Sequence, residues 1–324
     1  MMRPLGGSGG GHVESSAEIE VRVDPLTGHR CRINQSRDQR PKQPLAVETT
    51  KGGAPCPFCP ENLERSTPEF RPGLFAEKRI RYGGAVLFPN LFPLSEMHGV
   101  CVFTPVHKVD LDEFTAKEIF DGIKCCIEFI SRCRTLGVIN HLIGWNHLSQ
   151  AGASMLHPHF QAIASRHPFS SILKLVELSR SYHASTKSSY WEVLVREERG
   201  SSRMIGTTGG FNWLAPWSPT GSYEVMGVCS SPKSSITELG DAEVMALAEG
   251  ILKVINGYWA AGAISLNMAI FSSACEGEYF RVHARLMARP IGSISDRAFL
   301  ELYGNEVGIS VPPERYAGWI REKF

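Results

Sequence analysis

"HGVCVFTPVHKVDLDEFTAKE", His98 to Glu118, is echoed further along the chain by "SYEVMGVCSSPKSSITELGDAE", Ser222 to Glu243. Each copy opens on a short apolar stretch suited to a strand, passes a proline and reaches a helix start. In the first, Thr115 and Glu118 have the spacing of a capping box. Ile119, Ile123, Ile127 and Ile130 then keep a helical stripe up to Gly137. In the second, a helix is expected from Asp241 to near Gly262, carrying Val244, Leu247, Ile251 and Ile255. Strand-like segments complete both sets: "AVLFPNLFPLS", "GVINHLIGW" and "HPHFQAIA" around the first helix, "SLNMAIFSS" and "YFRVHARLMARP" after the second. The order strand–strand–helix–strand–strand thus occurs twice, over residues 46–167 and 202–290. That pattern predicts a duplicated α+β unit.

The remaining segments are simpler. Residues 1–20 read as a disordered leader, and "RVDPLTGHRCRI" as strand, turn and strand before the loop-like "NQSRDQRPKQP". "SILKLVELSRSYHASTKSSYWEVLVREE" reads as a long connecting helix plus a loop. The organisation expected is a leader over 1–20, an N-terminal unit over 21–190 and a C-terminal unit over 191–324. With 34 basic against 33 acidic residues the net charge is +1, which leaves no electrostatic footprint for nucleic acid. No apolar run approaches the ~18 residues of a membrane span. Nine irregularly spaced cysteines argue against a secreted disulfide framework, so a cytoplasmic protein is expected.

Polar chemistry concentrates in "NHLSQAGASMLHPHFQAIAS", residues 146–165. On a strand, His157, His159 and Gln161 project to one side and Pro158 and Phe160 to the other. An exposed edge strand would carry such a face at no cost. The preceding small residues favour a site instead, because a loop of Gly152, Ala153 and Ser154 lets backbone amides approach phosphate oxygens. A neutral imidazole facing phosphate is a competent nucleophile near pH 7. Separately, "CPFC" supplies Cys56 and Cys59 at a spacing that reaches one tetrahedral ion, although an isolated pair also fits redox chemistry or chance.

"NHLSQAGASMLHPHFQ" resembles the active-site signature of the galactose-1-phosphate uridylyltransferase family, a branch of the histidine-triad superfamily that includes ADP-glucose phosphorylases. "DPLTGHRCRINQSRDQRP" and "FPNLFPLSEMHGVCVFTPVH" resemble its N-terminal and central motifs. The resemblance implies duplicated histidine-triad-like units, with antiparallel sheets and flanking helices. It implies a nucleotidyltransferase in which His159 attacks the α-phosphorus of a nucleotide sugar. Sugar 1-phosphate would leave, and a second sugar 1-phosphate or inorganic phosphate would take the nucleotide. It gives Gln161 to the phosphoryl oxygens, Ser154, Asn146, Gly152 and Ala153 to the phosphate loop, Arg37 and Arg40 to the nucleotide phosphates and Asn90 to the nucleoside. It adds His107 and His157 to Cys56 and Cys59, as one closed, structural zinc site. It also suggests a homodimer.

The chain departs from the family at a second, iron-type site, which is not expected here. Phe271 stands at one ligand position, and "VHARL" keeps His283 but has Arg285 at the other. His283 is then a core or interface histidine, and galactose specificity does not follow. Two alternatives stay open: a nucleotide-sugar phosphorylase such as ADP-glucose phosphorylase, or a nucleotide hydrolase of the histidine-triad group. Against the hydrolase, Gln161 cannot shuttle a proton as a third histidine would. A non-catalytic nucleotide- or zinc-binding protein would bind nucleotide and form no adduct. Trp213 and Trp217 could stack on a base or pack a core, while His98 and His147 could line the pocket.

Overall fold

A computed structural model describes residues 19–39, 55–107, 110–274, 277–289 and 299–324. The expected leader up to residue 18, and Arg40, lie outside the described residues. In chain order the elements are β1 (Glu20–Val23), β2 (Arg30–Ile33), α1 (Pro60–Ser66), β3 (Ile80–Tyr82), β4 (Ala85–Pro89), β5 (Met97–Val102) and α2 (Ala116–Thr135). Next come β6 (Asn140–His147), β7 (His159–Ser165), α3 (Ser170–Thr186), α4 (Tyr190–Glu198), β8 (Met204–Thr208), β9 (Phe211–Leu214) and β10 (Val225–Cys229). The chain ends with α5 (Asp241–Ala260), β11 (Ser265–Phe271), β12 (His283–Arg289), β13 (Glu306–Ile309) and α6 (Pro313–Arg321).

The fold is α+β, built on one ten-stranded sheet of order β3-β4-β5-β7-β6-β11-β12-β10-β9-β8. Every neighbouring pair in it is antiparallel. From the central β6–β11 seam outward, β6-β7-β5-β4-β3 on one side matches β11-β12-β10-β9-β8 on the other. Each half is a hairpin, a third strand, a helix and two more strands. The duplication is therefore real, and each copy holds one strand more than the sequence predicted. In the first copy the extra strand is β3, only three residues long, and in the second the short hairpin β8–β9 precedes β10.

Helices α2 and α5 cover one face of the sheet. The Thr115 hydroxyl caps α2 by accepting from the Glu118 amide, while the Glu118 carboxylate accepts from the Thr115 amide, completing the capping box. Ile119, Ile123, Ile127 and Ile130 are buried against the strands. Alternation does the rest: Phe160, Ala162 and Ala164 of β7 face this core, with Phe160 stacked 4.2 Å from Phe103. A Cβ on Gly122 of α2 would lie 2.7 Å from the Phe160 ring, so the helix sits close behind β7.

The segment between the halves is two helices rather than one. Lys187 takes a left-handed conformation (φ 60°) and ends α3 within "ASTKSS", where small polar residues compete for backbone hydrogen bonds. α3 and α4 then pack on the open face of the second half, burying Leu175, Trp191 and Val195 with Met226, Val228 and Phe280. A small second sheet, β1-β2-β13, pairs β13 parallel with β2.

Candidate active site and metal cluster

On the first half of the sheet, the face away from α2 sets His98, His159, Gln161 and Asn146 beside a small apolar cluster of Leu63, Phe88, Val100 and Val102. Register places His159 opposite Val102 and Gln161 opposite Val100 and Gly144. β7 begins at His159, so His157 and Pro158 precede the strand rather than belonging to it. His157 is wholly buried and its Nε2 donates to the Thr104 carbonyl at 2.9 Å. That bond fixes the tautomer and leaves Nδ1 with a lone pair aimed at the cysteines.

Cys56 Sγ lies 3.8 Å from His157 Nδ1, Cys59 Sγ 3.7 Å from the same atom and 3.8 Å from His107 Nδ1. All four donor atoms fall within 4.8 Å of one another. Around an ion with metal–sulfur bonds of ~2.3 Å and metal–nitrogen bonds of ~2.0 Å, tetrahedral edges come to about 3.5–3.8 Å. The observed edges fit, so the cluster can hold a metal ion. Burial, with the neighbouring Cys56 thiol, pushes the Cys59 thiol up to about 11. For both sulfurs to be thiolates side by side, a compensating cation would be needed. Phe58, inside the knuckle, packs edge-on against both His157 and His159, at 6.3 and 5.4 Å between ring centres.

The His159 ring is 6 % exposed, and its Nδ1 donates to the His157 carbonyl at 2.9 Å. Nε2 is left with its lone pair and has no hydrogen-bond partner among the described residues. Burial lowers the imidazole below its ordinary value, partly offset by the His157 carbonyl, so the ring is neutral near pH 7. A neutral imidazole with one free, fixed nitrogen can act as a nucleophile.

The loop after β6 enters through Leu148 at φ 66° and leaves through Gly152 at φ 86°. A side chain at Gly152 would meet open space but would have to hold this left-handed backbone, which glycine does without strain. The amides of Ala151 and Ala153 donate to the Leu148 carbonyl and that of Gly152 to the Ser149 carbonyl. These amides, expected from the sequence to be free for phosphate, instead close the turn. Ser154 is exposed beyond them.

Asn146 lies on the same face of β6, two residues beyond Gly144. Its Oδ1 accepts from Asn267 Nδ2 at 2.7 Å, and the same Asn267 nitrogen donates to the Ala151 carbonyl at 2.9 Å. Arg289 in turn donates to Asn267 Oδ1. Residues of the second half thus hold both Asn146 and the loop. No local sequence signal marked Asn267, because its role follows from strand pairing across the seam. Asn90 lies near Gln161, through His98, while Arg37 is exposed on the turn Gln35–Gln39. His147 is buried against Phe114 and Trp145 on the opposite face, away from the pocket. Trp213 is core, whereas Trp217 is 38 % exposed and flanked by Arg22 and Arg203.

No protein-family model matches the chain. It is 29% identical to an uncharacterized protein of Archaeoglobus fulgidus over 97% of this chain and 94% of that one. It is 26% identical to the galactose-1-phosphate uridylyltransferase of Thermotoga maritima over 73% of this chain and 74% of the relative. Its fold is similar to that of an ADP-glucose phosphorylase from Arabidopsis thaliana, solved with bound ADP-glucose. The TM-score there is 0.74 at 20% identity, covering 94% of this chain and 98% of that one. A uridylyltransferase structure matches over the same shares at TM-score 0.71 and 21% identity. In sequence the chain is thus similar to a galactose-1-phosphate uridylyltransferase, and its fold is shared with an ADP-glucose phosphorylase and a uridylyltransferase.

Proposed function

We propose that the protein is a nucleotidyltransferase that moves a nucleoside monophosphate from a nucleotide sugar through a covalent adduct on His159. The observation that carries this reading is the His159 ring: neutral, held through Nδ1 by the His157 carbonyl, with Nε2 unpaired. Nε2 attacks the α-phosphorus, a P–N bond forms, and the bond to the bridging oxygen breaks. Sugar 1-phosphate leaves with that electron pair. A phosphate oxygen of the acceptor then attacks the same phosphorus, and the P–N pair returns to Nε2. No net proton moves on His159. While the adduct lasts the ring carries positive charge, and the His157 carbonyl meets it as a fixed dipole.

Gln161 and Asn146 would donate amide hydrogens to the phosphoryl oxygens, with Ser154, Gly152 and Ala153 shaping the loop. Arg37, Arg40 and Asn90 are proposed as substrate contacts. Zinc suits two thiolates and two imidazoles, and held by Cys56, Cys59, His107 and His157 it would serve structurally. It would anchor His157, and so the carbonyl that orients His159. Eight free cysteines among the described residues support a reducing, cytoplasmic setting, and no described helix is long and apolar enough to cross a membrane.

The test is intact-mass measurement after incubation with UDP-glucose, ADP-glucose or GDP-sugars. A gain of one nucleoside monophosphate, absent from His159→Ala, supports the reading and names the base. Discharge of that adduct by inorganic phosphate, by sugar 1-phosphate or by water alone separates phosphorylase, transferase and hydrolase. Nucleotide binding without an adduct overturns all three. Light scattering reads whether the protein is the expected homodimer.

A further inference from the structure

His98, on β5, is 5 % exposed and sits outside the metal cluster and outside the set of groups assigned to phosphate. The Leu94 amide donates to its Nδ1 at 3.1 Å. Nδ1 is therefore an acceptor, and the ring proton is on Nε2. That nitrogen lies 2.9 Å from Gln161 Oε1 and donates to it. The amide nitrogen of Asn90 is 3.3 Å from the same Nε2. Asn90 Oδ1 accepts from the Phe92 amide at 2.8 Å, which fixes the Asn90 orientation and makes its nitrogen a second donor, with no bond to this tautomer. Burial keeps the His98 ring neutral at ordinary pH.

A glutamine amide has two faces of opposite character, and rotation by half a turn exchanges them at little cost. Presented to a phosphoryl group, the nitrogen stabilises and the oxygen repels. We infer that His98 is a positioning residue: by claiming Gln161 Oε1, it forces the Gln161 amide nitrogen to be the atom offered to phosphate. The second half of the sheet holds the same geometry in different chemistry. Glu224 precedes Val228 by four residues, as His98 precedes Val102, and it pairs at 3.2 Å with Arg285, the register counterpart of Gln161. A residue at this site on the neighbouring strand thus anchors its partner in both copies.

The kinetic consequence rests on the nucleotidyl-transfer reading. The tautomer does not. Single-turnover labelling of His159 would be compared in the wild type, His98→Ala, Gln161→Ala and the double variant, with the donor that labels the wild type. Loss of a fixed transition-state donor costs about 10²–10³-fold in rate, and Gln161→Ala should approach that. His98→Ala, which leaves the glutamine present but free to turn, should slow labelling by about 10–100-fold with donor KM little changed. The double variant should be no slower than Gln161→Ala, and His98→Gln, which keeps a donor, should recover most of the rate. Effects of the two substitutions that multiply independently would overturn the proposal, as would a His98→Ala rate equal to the wild type. Long-range 1H–15N spectra of the wild-type His98 ring decide orientation without any reaction. A proton on Nε2 supports the assignment, and a proton on Nδ1 overturns it. Absence of an adduct in the wild type would end the transfer reading while leaving this spectrum decisive.

Discussion

His159 and His283 occupy the same place in the two halves of the sheet, opposite Val102 and Val228 respectively. Both donate Nδ1 to the carbonyl two residues earlier, at 2.9 Å in each case. Their surroundings differ completely. His159 lies beside the Cys56, Cys59, His107 and His157 cluster, with the Phe58 ring 5.4 Å away and steeply inclined to it. His283 is wholly buried and stacks on Trp191 at 4.2 Å and Phe271 at 4.9 Å. Burial beside Arg285 pushes it down to about 3. What separates the two imidazoles is the covering layer. α3 and α4 roof the second half and set Trp191 on His283. Among the described residues the first half is covered by the short α1 and the Cys56–Cys59 knuckle, with Leu63 and Phe58 packed near Phe88, Val100 and Val102. The same strand position and the same carbonyl contact therefore sit under an aromatic roof in one half and beside a Cys/His cluster in the other.

Paired substitutions test that contrast. His159→Ala should abolish adduct formation, a loss of about 10⁴-fold or more, while His283→Ala should leave labelling within about tenfold of the wild type. Comparable losses from the two would break the comparison. Trp191→Ala should cost about 3–5 kcal/mol in denaturant unfolding by opening a core cavity, yet leave His159 labelling intact. Cys59→Ser should remove bound metal, measured by elemental analysis, and slow labelling less than His159→Ala does. Retained metal would sink the four-residue site. The smallest effect concerns pH. His283 titrates near its ordinary 6.5 when unfolded and at about 3 when folded. Between those values the unfolded chain binds the extra proton, so stability falls as pH falls through the window. His283→Gln should reduce that slope by up to one proton. His141, pushed down by burial to about 4, adds to the same acid sensitivity in both proteins.

The sequence was informative where physics is local. The Thr115–Glu118 capping box, the isoleucine stripe of α2 and the alternation in β7 all appear in the structure as read. The four candidate metal ligands, drawn from three separate segments, converge to within bonding reach of one ion. Legibility failed where a feature depends on distant partners. The break between α3 and α4 turns on one left-handed lysine. The closed turn at residues 148–153 could not be told from a loop with open amides, because which carbonyls accept depends on the φ of Leu148. Asn267 reaches Asn146 only because β11 pairs with β6, and the His98–Gln161 bond needs the register of β5 on β7.

The β6–β11 seam has a further consequence. Residues 21–190 produced alone would carry an unprotected border along residues 143–147 of β6, with backbone donors and acceptors awaiting another chain. Gly144 faces its own counterpart Ala269 across the seam, so the simplest remedy for such a fragment is to meet a second copy of itself there. Truncation would then yield a two-fold pair presenting two imidazoles of the His159 kind, neither with the asparagine that Asn146 normally leans on.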